Sequence, residues 1–253
     1  MHIYLFGEGY IGKYLNSFLE RNHKTTILSL KNTSFRCFED IILDLDQNSV
    51  LIDLMDPNAI KKDTSLELLQ KAKKIRKRII HKFEIAHYIY ISSSNLYLPS
   101  ISFISESSSN KKLFDSKYLL IKKDTEFFLN KSLIPLSICR LPNVWGINEV
   151  KNSFFADLEY AHKEKIKIKY YENDDHVISY INIKDLCILI SLIISKRILG
   201  KINISTNQFD SRYNLKSMIN KNKFRNIDNS EGIRLVSDRL IYKDYFSPTI
   251  LKF

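Results

Sequence analysis

Glycine is scarce in this chain: six residues in 253. Proline is scarcer, at five, and no Pro/Gly/Ser-rich break interrupts the sequence. A linker between two independent halves is therefore not expected. The three cysteines, Cys37, Cys139 and Cys187, are far apart, odd in number and without metal-ligand spacing. They read as free thiols in a reducing compartment, with neither a metal site nor a cysteine nucleophile expected. No apolar run reaches the ~20 residues that a membrane helix needs. The longest, LCILISLIIS (186–195), reads as a buried helix, so no membrane partner is expected. The N-terminus shows no basic region or cleavage pattern, which makes the cytosol the expected compartment.

Acidic residues are in the minority. Asp and Glu number 28 against 39 Lys and Arg, a net charge of +11. Such a field would draw in nucleic acid or a small anionic substrate, but a composition rich in Lys, Ile and Asn, with Lys spread freely over solvated faces, accounts for it as the main cause. The densest basic run, KKIRKR (73–78), lies within a helical pattern and has no interleaved aromatics. It reads as a solvated helix face, so no nucleic-acid partner is expected. Hydrophobic residues make up 44% of the chain, enough for one large domain, or one domain with a smaller lobe.

Short apolar runs alternate with longer amphipathic ones. IYLFG (3–7), TTILSL (25–30), VLIDLM (50–55), YIYISSS (88–94) and LSICRL (136–141) read as strands. Helices are expected over 10–21, about 63–82 and about 113–131. This rhythm predicts an α/β fold, a Rossmann-like doubly wound parallel sheet. The second half is less regular. Residues 153–164 read as helix, KIKIKYY (165–171) alternates like a strand, ISYINI (178–183) leads into the buried helix, and KINIS (201–205) is expected to close the main sheet. The dinucleotide-binding domain is thus expected over 1–147 plus about 178–205. A smaller mixed C-terminal substrate lobe is expected over about 148–177 plus 206–253.

Three of the six glycines fall in FGEGYIG, as Gly7, Gly9 and Gly12. This G-x-G-x-x-G follows a strand and opens a helix, the context of a dinucleotide fingerprint. Gly7 permits the tight turn, Gly9 lets a pyrophosphate approach the backbone, and Gly12 lets the helix pack closely on the strand. The helix N-terminus adds open N–H groups for phosphate. Gly7, Gly9, Tyr10, Ile11 and Gly12 are therefore candidate cofactor ligands. The second strand ends LSLKNTS, without the acidic residue that would hold a ribose 2′-hydroxyl. Ser29 and Lys31 suit a 2′-phosphate instead. NADP(H) is favoured as the cofactor, with NAD(H) possible.

YIYISSSNLY ends in three serines, and serines at the carboxyl edge of a parallel strand face the cofactor crevice. Tyr118 follows on the next helix, with Lys122 one turn further on the same face. Tyr180 and Lys184 repeat the Tyr-x-x-x-Lys spacing but follow no serine-tipped strand, so they are set aside.

In order along the chain, the glycine turn, ISSSNLY, YLLIKKDTE, CRLPNVWG, ISYINIKDL and GKINIS resemble the extended short-chain dehydrogenase/reductase family. The likeness is to its nucleotide-sugar epimerase, dehydratase and ketoreductase branch. The resemblance implies a catalytic set of Ser93, Tyr118 and Lys122. Tyr118 would be the acid–base group, its pKa of about 10 lowered by Lys122 and the nicotinamide ring; a drop of ~3 units requires ~4 kcal/mol. Lys122 would also hold the nicotinamide ribose, and Pro142 would lie beside the nicotinamide. Ser93, with Ser94, Asn95 and Asn143, would contact a nucleotide-diphosphate sugar. Arg212, Arg234 and Arg239 lie in the lobe where the family holds the diphosphate or base, but none is assigned. A homodimer through the helices near 63–82 and 113–131 is likewise implied.

Some positions depart from the family pattern. Ser94 and Asn95 stand where its dehydratases carry Asp-Glu, so no 4,6-dehydratase is expected. The segment between the second strand and VLIDLM is short enough to have lost a strand or a helix. The expected activity is reduction of a 4-keto-6-deoxyhexose nucleotide. A 4-epimerase with retained NAD and a non-catalytic dinucleotide-binding regulator are the alternatives.

Overall fold

The structure, a computed structural model, describes residues 1–56, 66–81, 85–110, 116–146, 153–223, 225–228, 230–237 and 247–251. In chain order the elements are β1 (His2–Phe6), α1 (Tyr10–Leu19), β2 (Lys24–Leu28), α2 (Phe35–Asp44), β3 (Ser49–Asp53), α3 (Leu66–Ile80), β4 (His87–Ser93), β5 (Phe103–Ile104) and α4 (Lys117–Leu129). There follow β6 (Leu136–Leu141), β7 (Asn143–Trp145), α5 (Phe154–Glu164), β8 (Val177–Asn182), α6 (Ile183–Lys196), β9 (Gly200–Asn203), β10 (Phe209–Ser211), α7 (Arg212–Asn220) and β11 (Arg234–Leu235).

The chain divides into two compact units. The first comprises Met1–Leu96, Lys112–Arg140 and Ile190–Ile202. Its six-stranded sheet has the order β2-β1-β3-β4-β6-β9. β1 runs parallel to both β2 and β3, and β3 parallel to β4. Strands covered on both faces read as unbroken apolar runs, and every residue of β3 is buried. A doubly wound sheet ordinarily carries one more strand outside β2. Here, among the described residues, β2 is the edge, and the chain after it forms α2. The short segment therefore keeps a helix and lacks a strand. Ser34 starts that helix by accepting a hydrogen bond from the Cys37 N–H at 3.2 Å, a cap worth ~1 kcal/mol. Phe38 and Ile42 then bury α2 in a core with Phe6, Leu51, Ile75 and Tyr88.

The second unit comprises Tyr97–Lys111, Leu141–Leu189 and Asn203–Phe253. It therefore takes in residues 97–111, 141–147, 178–189 and 203–205, which the sequence reading assigns to the dinucleotide-binding domain. In its three-stranded sheet, β8 lies between antiparallel β10 and parallel β7. β11 pairs in parallel with β5. α5 and α7 pack on this sheet through Phe155, Leu158 and Leu215, each capped at its start by a serine, Ser153 and Ser211.

KIKIKYY is not a strand. The chain leaves α5 through Lys165 in the left-handed conformation (φ 54°). The side-chain amide of Asn220 then takes both hydrogen-bonding positions of Ile168, at 2.8 Å each, where a neighbouring strand would have bonded. Among the described residues no helix is long and apolar enough to cross a membrane. The apolar run 186–195 lies within α6, as expected.

Candidate functional site

The turn after β1 is built from close backbone approaches. Gly7 has φ +135°, and a Cβ there would lie 2.7 Å from the Leu54 carbonyl oxygen. A Cβ on Gly12 would lie 2.0 Å from the Gly7 carbonyl oxygen, so α1 packs against the turn where only glycine fits. Gly9 differs: nothing lies within 4 Å of a Cβ built there. It caps α1 with extended backbone and no side-chain cap hydrogen bond. Open space beside an uncapped helix N-terminus fits the pyrophosphate of a dinucleotide. Tyr10 and Ile11, both half-buried, form the first turn. Beyond β2, the Ser29 hydroxyl accepts from the Asn32 N–H at 3.3 Å, and Lys31 is exposed.

Lys122 is 4% exposed, and its ammonium donates to the Ile91 carbonyl at 2.5 Å, two residues before the serine tip of β4. It also pairs with Asp56 at 3.0 Å and lies 5.5 Å from the centre of the Tyr118 ring. Tyr118 itself is half-buried. The Ser93 oxygen accepts from the Asn95 N–H at 3.2 Å, which leaves its own hydrogen available to donate. Ser94 is buried at the start of a single 3-10 turn, and Asn95 is exposed. The structure therefore brings Tyr118, Lys122 and the end of β4 together in one unit.

Beneath this set lies a polar layer that the sequence reading missed. Tyr88, Tyr90 and Ser92 alternate along one face of β4, and each donates its hydroxyl to a buried carboxylate. Tyr88 donates to Asp53 at 2.6 Å, Tyr90 to Asp56, and Ser92 to Glu126 at 2.5 Å. Each carboxylate also meets a cation. Arg76 contacts Asp53 at 2.6 Å and Asp56 at 2.7 Å, and Arg140 contacts Glu126 at 2.6 and 3.0 Å.

Charge is held firmly here. Burial raises the acidity cost of Asp56, but Arg76 and Lys122 outweigh it and hold the carboxyl down at about 2. Burial likewise opposes the Lys122 charge, yet Asp56, and next Tyr118, raise the ammonium above the ordinary lysine value. Burial, then the neighbouring carboxylates, push Tyr88 and Tyr90 well above the usual phenol range, so both stay protonated donors.

KKIRKR is thus not wholly a solvated face, because Arg76 within it is 4% exposed and ion-paired. A signal was present. Ala72, Ile75, Arg76 and Ile79 share one helical stripe, and the other three are fully buried. YIYISSS is likewise less apolar than it read, and the period-two spacing of its hydroxyls was the clue.

In the second unit, Pro142 is buried, and the Asn143 amide donates to the Ser179 carbonyl at 3.0 Å. Tyr180 lies on β8 against Phe155, whereas Lys184 is exposed on α6. They do not form a one-helix pair. Arg234 is buried, donating to the carbonyls of Ser100 and Ile227, and Arg212 lies 5.5 Å from the Phe154 ring centre. Arg239 lies outside the described residues. Cys139 and Cys187 are buried thiols, pushed up by burial, Cys187 to about 12. Among the described residues no three His, Cys, Asp or Glu side chains gather to hold a metal ion.

No protein-family model and no curated protein matches the chain. Solved structures do. A UDP-N-acetylglucosamine 4-epimerase from Methanobrevibacter ruminantium, in complex with UDP-N-acetylmuramic acid, is 17% identical, with a TM-score of 0.74 over 98% of this chain and 93% of that one. A UDP-glucuronic acid 4-epimerase from Bacillus cereus, in complex with NAD, is 18% identical, with a TM-score of 0.71 over 99% and 94%. A dTDP-glucose 4,6-dehydratase from Bacillus anthracis, also with NAD, is 16% identical, with a TM-score of 0.68 over 94% and 85%. Similarity at this level of identity speaks for architecture, and the chain has the fold of the extended short-chain dehydrogenase/reductases that its motifs resemble.

Proposed function

We propose that the chain is an NAD(P)-dependent oxidoreductase of a nucleotide-linked sugar, interconverting a sugar hydroxyl and a keto group. Its most specific form is a 4-ketoreductase of a 4-keto-6-deoxyhexose nucleotide. The observation that carries this reading is Lys122, anchored beneath the tip of β4 with the Tyr118 ring against it. The glycine turn of the same unit suits a dinucleotide. When bound, that cofactor supplies the hydride chemistry. In this reading the chain supplies position and the proton. Tyr118 gives its phenolic proton to the substrate carbonyl oxygen, or takes one from the hydroxyl in reverse. Ser93 donates its remaining hydrogen to the same oxygen. Lys122 holds the nicotinamide ribose and supports the phenolate.

The exposed Lys31 and the absence of an acid after β2 support NADP, whereas the NAD in the structural relatives supports NAD. A 4-epimerase with retained NAD is the second reading, favoured by the two 4-epimerases among those relatives. Dehydration is disfavoured because Ser94 and Asn95 carry no carboxylate. Homodimerisation through α3 and α4 belongs to the same reading, and α4 exposes Leu120 and Phe127.

The test is NADPH oxidation with a 4-keto-6-deoxyhexose nucleotide, in wild type and in Tyr118→Phe. Loss of a positioned acid–base group is expected to cost ~10²–10⁴-fold in turnover. Full activity in Tyr118→Phe would overturn the assignment. Dinucleotide binding without any turnover would instead identify a regulator, and tightly copurifying NAD would favour the epimerase.

A further inference from the structure

Lys122 is almost wholly buried, and a buried lysine ordinarily tends to give up its proton. What opposes this lies three residues past the end of β3. The side chain of Asp56 is fully buried and meets the Lys122 ammonium at 3.0 Å and the Arg76 guanidinium at 2.7 Å. It also accepts the Tyr90 hydroxyl. The ammonium has three N–H groups. One goes to the Ile91 carbonyl and one to Asp56, and the third is not taken up by another group among the described residues.

The charged and titratable groups facing Lys122 are few. Asp53 ends β3 and Asp56 follows it, Arg76 comes from α3, Tyr88 and Tyr90 from β4, and Tyr118 from α4. Glu126, one turn along α4, is closed off by Arg140 and Ser92. Asp53 is taken up by Arg76, Tyr88 and the Met55 N–H. Among these groups Asp56 is the carboxylate in contact with the ammonium. The four charges of Asp53, Asp56, Arg76 and Lys122 sum to zero, so loss of Asp56 alone leaves two cations facing one carboxylate.

We infer that Asp56 is a positioning residue, which keeps the Lys122 ammonium charged and aims its remaining N–H at the cofactor and Tyr118. This rests on the reading above, in which Lys122 meets a bound dinucleotide. Without Asp56, burial and Arg76 both act against the ammonium, and its proton comes off at lower pH than in wild type. An anionic dinucleotide arriving beside it would then recharge it.

The experiment is titration calorimetry with NADPH, and with NADH in parallel, between pH 7 and 9. Two buffers of different ionisation enthalpy report the protons exchanged on binding. Wild type is expected to take up essentially none attributable to this site. Asp56→Asn is expected to take up about half a proton or more beyond wild type near the displaced titration. Asp53→Asn removes the same charge from the cluster without touching Lys122, and is expected to take up much less. A purely structural role for Asp56 would lower stability without adding a proton to the binding reaction.

Equal proton counts in Asp56→Asn and wild type, or equal excess uptake in the two Asn variants, would overturn the inference. Should Asp56→Asn not fold, Asp56→Glu keeps the charge on a longer arm. It is expected to bind without excess uptake but about tenfold more weakly, and wild-type affinity there would overturn the inference. Failure of wild type to bind either dinucleotide would instead sink the parent reading, so the two failures are distinguishable.

Discussion

Replacing Arg140 by leucine removes one cation from a place water barely reaches. Arg140 is 1% exposed and Glu126 6%. The guanidinium gives the carboxylate two hydrogen bonds, from Nε at 3.0 Å and Nη2 at 2.6 Å. With the arginine gone, Glu126 keeps the Ser92 hydroxyl at 2.5 Å but loses that counter-charge. Stranding a buried charge costs ~3–5 kcal/mol, a ~10²–10⁴-fold fall in the folding equilibrium. That is a large share of the ~5–15 kcal/mol typical of a folded protein.

The distinctive expectation is the double variant. Changing Glu126 to leucine as well removes the orphaned charge and restores most of the loss, leaving ~1 kcal/mol for the abandoned Ser92 hydroxyl. Urea unfolding followed by circular dichroism, with the denaturant slope checked for constancy, measures all four corners of the cycle. The reasoning fails if Arg140→Leu loses less than ~1 kcal/mol. It fails equally if the two single losses add to within ~0.5 kcal/mol, since groups in contact should couple.

Two glycines of one motif should respond differently to alanine. Gly9→Ala, facing open space, is expected to leave the unfolding midpoint nearly unchanged while weakening dinucleotide binding tenfold or more; Gly12→Ala, forced to within 2.0 Å of a carbonyl oxygen, is expected to fold poorly. Matched stability losses in the two would contradict the contact geometry. His87 gives a pH-dependent outcome: burial, then Arg197, hold its imidazole down to about 4, against 6.5 when unfolded. The unfolded chain therefore binds the proton first, so stability is intact above pH ~6.5 and falls by up to ~3 kcal/mol as pH drops toward 4. His87→Gln is expected to flatten that part of the stability–pH curve, and an unchanged slope would refute the assignment.

The legible parts of the sequence were those where the backbone dictates the residue. Gly12 is fixed by a carbonyl oxygen that no side chain could clear, so the motif and its geometry coincide. The parallel strands were legible because burial on both faces demands unbroken apolar runs. The KIKIKYY segment misled because alternation reports a half-buried surface and not a pairing partner; the partner is the amide of Asn220, over fifty residues away. α2 was missed although Ser34, Phe35, Phe38 and Ile42 carry both the cap and the apolar stripe. The carboxylates that hold Lys122 and Arg76 were hidden for another reason. Ion pairing across separate elements leaves no local periodicity, so Asp53 and Asp56 looked like the end of a strand and its turn.

The alternating hydroxyls of β4 act as a three-toothed key. Sliding that strand by one position would turn Ile89 and Ile91 toward two of the three carboxylates and part Asp53 and Asp56 from their phenolic partners. Such a slip is prohibitive in a way that an all-aliphatic strand would not make it. The height at which β4 presents its terminal serines to α4 is therefore set from below, by groups that need never touch a substrate.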